Sequence, residues 1–319
     1  MPWSHSHVPD QSGRIALVTG ASGGIGLETA RALADRGAHV LLACRSTGRG
    51  RAAAARIGGS TEVVRLDLAS LDSVREAAAL VRGRHEHLDL LVNNAGVMFP
   101  SYRRTEDGFE AHFGVNHLGH FALTGLLLDL MTAAPGSRIV TVASLTHRAG
   151  LGALDEDGAR SSTGRRSLTA YGRSKLANLL FARELHRRLA TAGAATASLA
   201  AHPGLSPTGL WQGDAPRFLR PVAAAGLRWL AQPAERAAWP MLRAATDPHV
   251  SGGAYLGPSQ AFESRGVPAP ARSSRASRDV AAQGRLWKLS EGLTGVGYAF
   301  ASAEAEPSGA VCPMRGARG

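Results

Sequence analysis

The chain has 319 residues, of which 44% are hydrophobic and 38 are glycine, and its formal net charge is +11. This composition excludes a disordered or fibrous protein and fits a globular α/β protein large enough to bury a core. The charge comes from arginines scattered along predicted helices, so we expect no nucleic-acid partner. Two cysteines, Cys44 and Cys312, are too few for a disulfide framework and indicate a reducing compartment.

The two ends of the chain differ in composition from the part between them. Residues 1–12 are polar and lack the apolar centre of a signal peptide, and residues 300–319 are small, polar and rich in helix breakers. We therefore expect a flexible leader, one domain over residues 13–299 and a disordered tail. No run approaches the ~20 apolar residues of a membrane helix, so we expect a cytoplasmic protein without a membrane span.

Short apolar strands alternate with helices through residues 13–299. Right-handed crossovers between such elements predict a single doubly wound (Rossmann) α/β domain, with a parallel sheet of about seven strands flanked by helices. One long helix is predicted over residues 109–131, and residues 150–168 are predicted to be a loop. The strands are predicted at residues 15–18, 39–43, 61–66, 88–92, 139–142 and 195–201, with a weaker seventh near 254–256.

A glycine-rich turn follows the first predicted strand directly. Gly20, Gly24 and Gly26 let the backbone approach a pyrophosphate closely, and the helix that begins there supplies free N–H groups and the positive end of its dipole. Ser22 and Ile25 belong to the same turn. A glycine-rich turn alone is weak evidence, but a strand before it and a helix after it are the context that dinucleotide binding requires.

The end of the second strand indicates which dinucleotide is bound. A carboxylate at this point would bond the adenosine ribose of NAD, whereas an arginine would accept the extra phosphate of NADP. The chain has Cys44-Arg45-Ser46 here and no acid, which favours NADP(H), although Arg45 can also be read as an ordinary solvent-facing arginine. Asp67, at the tip of the third strand, lies where adenine is expected, and it can also cap the following helix.

Tyr171 and Lys175 are four residues apart in a predicted helix, so they share one face of it. A nearby ammonium favours the phenolate and would lower the tyrosine pKa towards the range useful for proton transfer. An isolated pair at this spacing usually belongs to an ordinary surface helix. Here the whole chain has four tyrosines and two lysines, so a chance pairing is rare.

Several motifs occur in an order that resembles the short-chain dehydrogenase/reductase family. The resemblance covers residues 12–295, and it is closest to the branch of retinol dehydrogenases and protochlorophyllide reductases. The motifs that carry it are Thr19-Gly20-(three residues)-Gly24-Ile25-Gly26, Asn93-Asn94-Ala95-Gly96, Asn116, Ser144, Tyr171-(three residues)-Lys175 and Pro203-Gly204, with Val115-Asn116-His117-Leu118-Gly119-His120-Phe121 typical of the branch.

The resemblance implies catalytic roles for four residues. Tyr171 would be the general acid in carbonyl reduction and the base in alcohol oxidation, while Lys175 would lower its pKa and bond the nicotinamide ribose. Ser144 would donate a hydrogen bond to the substrate carbonyl. Asn116 would hold a water that links Lys175 to solvent, or it is a buried asparagine that bonds backbone at a helix irregularity.

The resemblance also implies the remaining contacts of the cofactor. The segment after the fourth strand would pass under the adenosine ribose, and the segment after the sixth would hold the nicotinamide end. The complete expected set is Gly20, Ser22, Gly24, Ile25, Gly26, Arg45, Asp67, Leu68, Asn94, Ala95, Gly96, Tyr171, Lys175, Pro203, Gly204 and Thr208.

These motifs predict an NADP(H)-dependent oxidoreductase that transfers a hydride between the nicotinamide and a carbonyl or secondary alcohol of a fairly apolar small molecule. Two alternatives stay open, a carbon-carbon double bond reductase of the protochlorophyllide type and a non-catalytic NADP(H)-binding sensor or scaffold. The loop at 150–168 and the segment after Gly204 are expected to form the substrate mouth. No metal is expected, because His117, His120, His147 and His202 have no acidic cluster beside them. A homodimer is left open.

Overall fold

The computed structural model describes residues 3–98, 101–150, 155–160, 167–205 and 232–300. The strands of this part of the chain are β1 Ile15–Thr19, β2 His39–Cys44, β3 Thr61–Arg65, β4 Leu90–Asn93, β5 Arg138–Val142, β6 Ala197–Ala201, β7 Tyr255–Gln260 and β8 Arg265–Pro270. They form one sheet in the order β3-β2-β1-β4-β5-β6-β7-β8. Strands β1 to β7 pair in parallel, and β8 pairs antiparallel with β7. The predicted doubly wound α/β fold is therefore confirmed.

Helices connect the strands and cover the sheet. Among the described residues, no helix combines the length and apolarity needed to cross a lipid bilayer. The helices are α1 Gly24–Ala34, α2 Thr47–Ile57, α3 Leu71–Arg84, α4 Ala111–Phe113, α5 Gly119–Leu126, α6 Leu128–Thr132, α7 Glu156–Arg160, α8 Ser167–Thr191, α9 Ala234–Thr246 and α10 Val280–Thr294.

The eighth strand was missed because its composition is unlike that of a strand. Its six residues, RGVPAP, include two prolines and a glycine. Proline lacks the N–H that an interior strand needs, but it is tolerated at an edge such as β8. The turn before it holds Ala261, Phe262 and Glu263 at positive φ angles of 48, 57 and 64°. Pairing with β7 therefore forms this strand although its residues have a low strand propensity.

The single helix predicted over residues 109–131 is wrong. A π-helical segment, Gly114–Leu118, separates α4 from α5, and a further break at Leu127, with φ of −109°, separates α5 from α6. The apolar residues run continuously through these breaks, so periodicity does not reveal them. The irregular segment contains Asn116, one of the expected catalytic residues.

Residues 3–12, which were expected to be a flexible leader, pack against the domain. Trp3 and Val8 are buried against the same face of the sheet as α1 and α9. The Gln11 N–H donates to the carbonyl of Arg36 at 2.7 Å, just beyond α1. These two apolar side chains are enough to pack the otherwise polar segment against the sheet. The overall polar composition of the segment does not indicate this packing. The predicted tail over 300–319 lies outside the described residues from 301 onward, and the expected loop at 150–168 contains the short helix α7.

The core consists of two layers, one on each face of the sheet. Leu17 of β1 packs in the layer that contains Val74 of α3 and Leu180 of α8. Val18, the next residue, packs in the opposite layer with Met241 of α9. Burial on both faces explains why these strands are continuously apolar. It also holds the carboxyl ends of β1, β4, β5 and β6 at one rigid edge, where the expected site residues follow.

Candidate functional site

The glycine turn follows β1 and packs tightly against the segment after β4. Gly20 has φ of +70° and Gly24 has φ of +57°, a region that favours glycine. A Cβ atom at Gly26 would lie 2.5 Å from Nδ2 of Asn94 and 2.6 Å from the carbonyl oxygen of Gly20. The first two glycines are therefore required by backbone conformation, and Gly26 is required by close packing.

The amino terminus of α1 is suited to bind an anion. No side chain caps it, because the N-cap residue is Gly23, and its first turn contains no acidic residue. The first N–H groups of a helix have no partner within the helix and carry its positive dipole end. A Cβ atom at Gly23 would meet only Nη2 of Arg49, at 3.8 Å. The turn, which includes Ser22 and Ile25, thus fits a pyrophosphate in chemistry and in space.

The segment after β4 is anchored to the end of β1. The backbone N–H groups of Asn94 and Ala95 each donate to Oγ1 of Thr19 at 2.9 Å, and Nδ2 of Asn94 donates to the carbonyl of Thr19 at 2.8 Å. At Gly96, a Cβ atom would lie 3.4 Å from Nζ of Lys175. The missing side chain at this position leaves room beside the buried ammonium of Lys175, on the side on which the cofactor is expected.

His120 connects this anchor to Asn116, a link that the sequence interpretation missed. Its Nε2 lies 2.9 Å from Oγ1 of Thr19, and its Nδ1 lies 3.0 Å from the carbonyl oxygen of Asn116. Burial lowers the pKa of His120 to about 4, so the ring is neutral at pH 7. Since a carbonyl only accepts, Nδ1–H donates to Asn116 and the Thr19 hydroxyl donates to Nε2. The residue was predicted to be an ordinary core or loop histidine, and only the tertiary structure reveals both partners.

The side chain of Asn116 ties the β4 segment to α8. Its Oδ1 accepts from the N–H of Val97 at 2.7 Å, and its Nδ2 donates to the carbonyl of Val97 at 3.0 Å and to Oγ of Ser174 at 2.9 Å. This asparagine, which lies in the π-helical segment, therefore bonds the backbone of Val97, which was the open alternative for Asn116. Its role in holding a water stays a prediction.

Tyr171, Lys175 and Ser144 meet beside this link. The tyrosine is buried, and the side chain of Ser144 is close enough to its hydroxyl to favour the phenolate. The ammonium of Lys175 lies 5.7 Å from the centre of the tyrosine ring and donates to the carbonyl of Val142 at 2.9 Å. A phenol, an ammonium and a hydroxyl thus converge at the carboxyl ends of β4 and β5, as a proton-transfer site requires.

Burial dominates the acid-base properties of the tyrosine and the lysine. It raises the pKa of Tyr171 to about 12, against the opposing effect of the hydrogen bond from Ser144. It lowers the pKa of Lys175 to about 8. The ammonium of Lys175 bonds the carbonyl of Val142, and burial is the largest influence on the pKa of the tyrosine. The phenol is therefore protonated at neutral pH and able to donate its proton.

Ser144 is held by the turn that follows β5. Its Oγ accepts from the N–H of Thr146 at 3.2 Å, at the start of the 3₁₀ turn Leu145–Ala149. Its carbonyl oxygen lies 2.6 Å from Nδ1 of His147, whose Nε2 accepts from the N–H of Ser274 at 3.1 Å. The histidine is thus a support for the serine-bearing turn, with both ring nitrogens engaged.

The residues expected at the adenosine end lie on the same edge of the sheet. Arg45 is exposed directly after β2. Arg49, which the sequence interpretation missed, extends from α2 towards the glycine turn, and its four-residue spacing from Arg45 was a signal available in the sequence. Asp67 accepts from the N–H of Ala69 at 3.0 Å, so its carboxylate closes a turn rather than capping α3. Leu68 is buried beside it, and contacts of either residue with adenine stay predictions.

The residues expected at the nicotinamide end follow β6. Gly204 has φ of +72°, and a Cβ atom there would lie 2.2 Å from the carbonyl oxygen of Ser264. The carbonyl of Pro203 accepts from Nε2 of Gln232 at 2.8 Å. Thr208 lies outside the described residues, as does most of the expected substrate mouth, at 151–154, 161–166 and 206–231.

Comparison with known proteins identifies related sequences. Residues 14–156 match the short chain dehydrogenase family. Human retinol dehydrogenase 13 is 48% identical over 204 residues, which are 62% of this chain and 60% of that protein. The chain thus spans only about 60% of the length of the retinol dehydrogenases that it matches. Mouse polyprenol dehydrogenase is 40% identical over 302 residues, which are 91% of this chain and 86% of that protein.

Two solved structures are also similar to this chain in fold and in sequence. A crystal structure of an uncharacterized protein from Mycobacterium paratuberculosis has a TM-score of 0.79 and 40% identity, and it covers 94% of this chain and 100% of that chain. The Pseudomonas aeruginosa RhlG/NADP active-site complex has a TM-score of 0.59 and 26% identity, and it covers 77% of this chain and 94% of that chain.

Proposed function

Because this chain belongs to the short-chain dehydrogenase/reductase family, we propose that it is an oxidoreductase that moves a hydride between NADP(H) and an alcohol or its carbonyl on a fairly apolar small molecule. The observation that carries this proposal is the buried phenol of Tyr171, which has Ser144 beside it and whose ring centre lies 5.7 Å from the ammonium of Lys175. The names of two relatives, retinol dehydrogenase and polyprenol dehydrogenase, specify alcohols as substrates of those proteins.

The residues present fit a bound dinucleotide. The uncapped amino terminus of α1 would hold its pyrophosphate, and the space in front of Gly96 leads to Lys175, which would bond the nicotinamide ribose. When bound, the nicotinamide supplies or accepts the hydride. The contribution of the protein is to orient the substrate, to exclude water and to move one proton.

In the reductive direction, Tyr171 gives its phenolic proton to the substrate oxygen. Its pKa of about 12 keeps that proton in place until negative charge develops on the carbonyl. The hydroxyl of Ser144 donates a second hydrogen bond to the same oxygen. A proton then returns to Tyr171 through Lys175, whose pKa of about 8 makes it an exchangeable donor near neutrality.

The preference for NADP(H) is supported by two arginines near the glycine turn. Arg45 is exposed at the end of β2, and Arg49 reaches within 3.8 Å of a Cβ position at Gly23. Two guanidinium groups favour a phosphate on the adenosine ribose, since each can form charge-assisted hydrogen bonds with it. The RhlG structure, which is similar to this protein in fold, is a complex with NADP.

Replacing Arg45 with aspartate is expected to shift the preference from NADPH towards NADH. Loss of one charge-assisted hydrogen bond and gain of a repelling carboxylate should lower the ratio of kcat/KM for NADPH over NADH by about 100-fold. Arg56→Asp is the matched control, because it makes the same charge change at the far end of α2. Equal ratios in wild type and Arg45→Asp would contradict the proposed phosphate site.

Labelled cofactor tests the reaction itself. Protein incubated with NADPH deuterated at the transferred position and a panel of apolar aldehydes, ketones and enones should place deuterium on the carbinol carbon of the product. Deuterium on a carbon of a former carbon-carbon double bond would support the alternative reductase. NADPH binding without turnover across the whole panel would support the non-catalytic sensor.

A further inference from the structure

Two histidines and a glutamate converge at the edge of the sheet opposite the candidate active site. His39 is the first residue of β2, Glu62 lies near the start of β3, and His85 directly follows α3. One potential ligand atom from each residue lies within 4.8 Å of the others. We call these three residues the amino-edge cluster. They are far apart in sequence, so only the fold brings them together.

From this geometry we propose that the amino-edge cluster is a binding site for Zn²⁺ or a similar borderline divalent cation. Two imidazole nitrogens and one carboxylate oxygen are a donor set that Zn²⁺ accepts, with a water as the fourth ligand. With zinc-ligand bonds of about 2.1 Å in a tetrahedron, adjacent ligand atoms lie about 3.4 Å apart. Nε2 of His85 lies 3.3 Å from Oε2 of Glu62, and Nε2 of His39 lies 3.8 Å from the same oxygen. Two of the three ligand distances are therefore close to the bound geometry, and the distance between the two histidines is within 4.8 Å.

Groups around the cluster orient its ligands. Nδ1 of His39 lies 2.6 Å from Oγ of Ser60, so a proton on Nδ1 leaves the Nε2 lone pair directed towards Glu62. Arg84 bonds Oε1 of Glu62 and leaves Oε2 to the imidazoles.

The three side chains are neither deeply buried nor freely exposed, at 31% for His39, 21% for Glu62 and 12% for His85. A cation can reach them from solvent without unfolding of the protein. Because β3 is the terminal strand of the sheet, a bound ion would fasten this edge to β2 and α3. The cation would therefore act on stability and not on hydride transfer.

Titration calorimetry with ZnCl₂ on the full chain, after removal of any histidine tag, tests the proposal. Wild type is expected to bind one equivalent, and His39→Ala and His85→Ala are each expected to weaken binding by about 100-fold. Mg²⁺ should not compete, since it prefers oxygen ligands. Co²⁺ bound at the site should give the visible absorption of a tetrahedral complex, which both variants should lose.

His87→Ala is the matched control, because it removes a histidine two residues from His85 that pairs instead with Asp89 at 3.4 Å. It should bind zinc as wild type does. NADPH binding by all three variants should be unchanged and verifies that each has folded. No zinc binding by wild type, or equal binding by wild type, His39→Ala and His85→Ala, would overturn the proposal.

Discussion

Tyr171→Phe is expected to lower kcat by about 10²–10⁴-fold while the protein stays folded and binds NADPH with nearly the wild-type Kd. The substitution removes only the phenolic oxygen, which carries the proton of the proposed reaction. The ring remains in its buried position, 6.2 Å from the ring of His112. Steady-state kinetics and fluorescence titration with NADPH measure the two quantities separately.

Tyr255→Phe is the matched control for this variant. Tyr255 is also a buried tyrosine, and its hydroxyl has no hydrogen-bond partner among the described residues. Its loss should leave kcat within about twofold of wild type, because it removes no interaction of the proposed site. If Tyr171→Phe turned over substrate as fast as wild type, the proposed acid-base role would be wrong, and the non-catalytic alternative would gain support.

Lys175→Met is expected to abolish most activity and yet to stabilise the ligand-free protein. Burial lowers the pKa of this lysine from 10.5 to about 8, which corresponds to a destabilisation of about 3 kcal/mol at pH 7. Loss of the hydrogen bond to the carbonyl of Val142 offsets about 1 kcal/mol of this, although Nδ2 of Asn178 still donates to that carbonyl at 3.0 Å. The free energy of unfolding should therefore rise by about 2 kcal/mol.

The pH dependence of this gain has a defined sign. Between about pH 8 and pH 10.5 the unfolded lysine holds a proton that the folded lysine has released. The titration of Lys175 therefore makes the free energy of unfolding of the wild type rise with pH in this window. The full destabilisation by the buried charge is present only below the window. The advantage of Lys175→Met should consequently be largest at pH 7 and should shrink as the pH rises from 8 to 10.5.

Lys288→Met is the control, since Lys288 is the other lysine of the chain and is exposed on α10. It should change neither activity nor the free energy of unfolding measurably. Urea denaturation at pH 7 and pH 10 measures the stability difference, and NADPH oxidation measures the activity. A Lys175→Met protein that is less stable than wild type at pH 7 would contradict the assignment of burial as the dominant effect on this lysine.

Features that depend on residue types within a short segment were predicted correctly. The glycine turn after Val18 and the apolar runs of β1 to β6 depend on backbone conformation and on burial of both faces of a sheet. Both requirements limit the residue types at each position, so they can be recognised without the rest of the fold. The edge at which Tyr171, Ser144 and the turn assemble followed from the parallel order of the strands.

Features that depend on contacts between distant segments were missed or misjudged. The residues of β8 have poor strand propensity, and pairing with β7 overrides it. The π-helical segment that contains Asn116 is apolar like the helices beside it, so its sequence does not distinguish it from them. The hydrogen bonds between the Asn116 side chain and Val97 are seen only in the folded structure. The amino-edge cluster joins three segments that no sequence motif relates.

The sequence by itself determined the fold class, the position of the dinucleotide turn and the identity of the proposed proton donor, because each depends on residue types at fixed spacings. Only the tertiary structure decided the acid-base state of that donor. The four-residue spacing of Tyr171 and Lys175 suggested a lowered tyrosine pKa, whereas burial raises it to about 12. Desolvation depends on what all surrounding segments exclude from the site, and no local spacing contains that information.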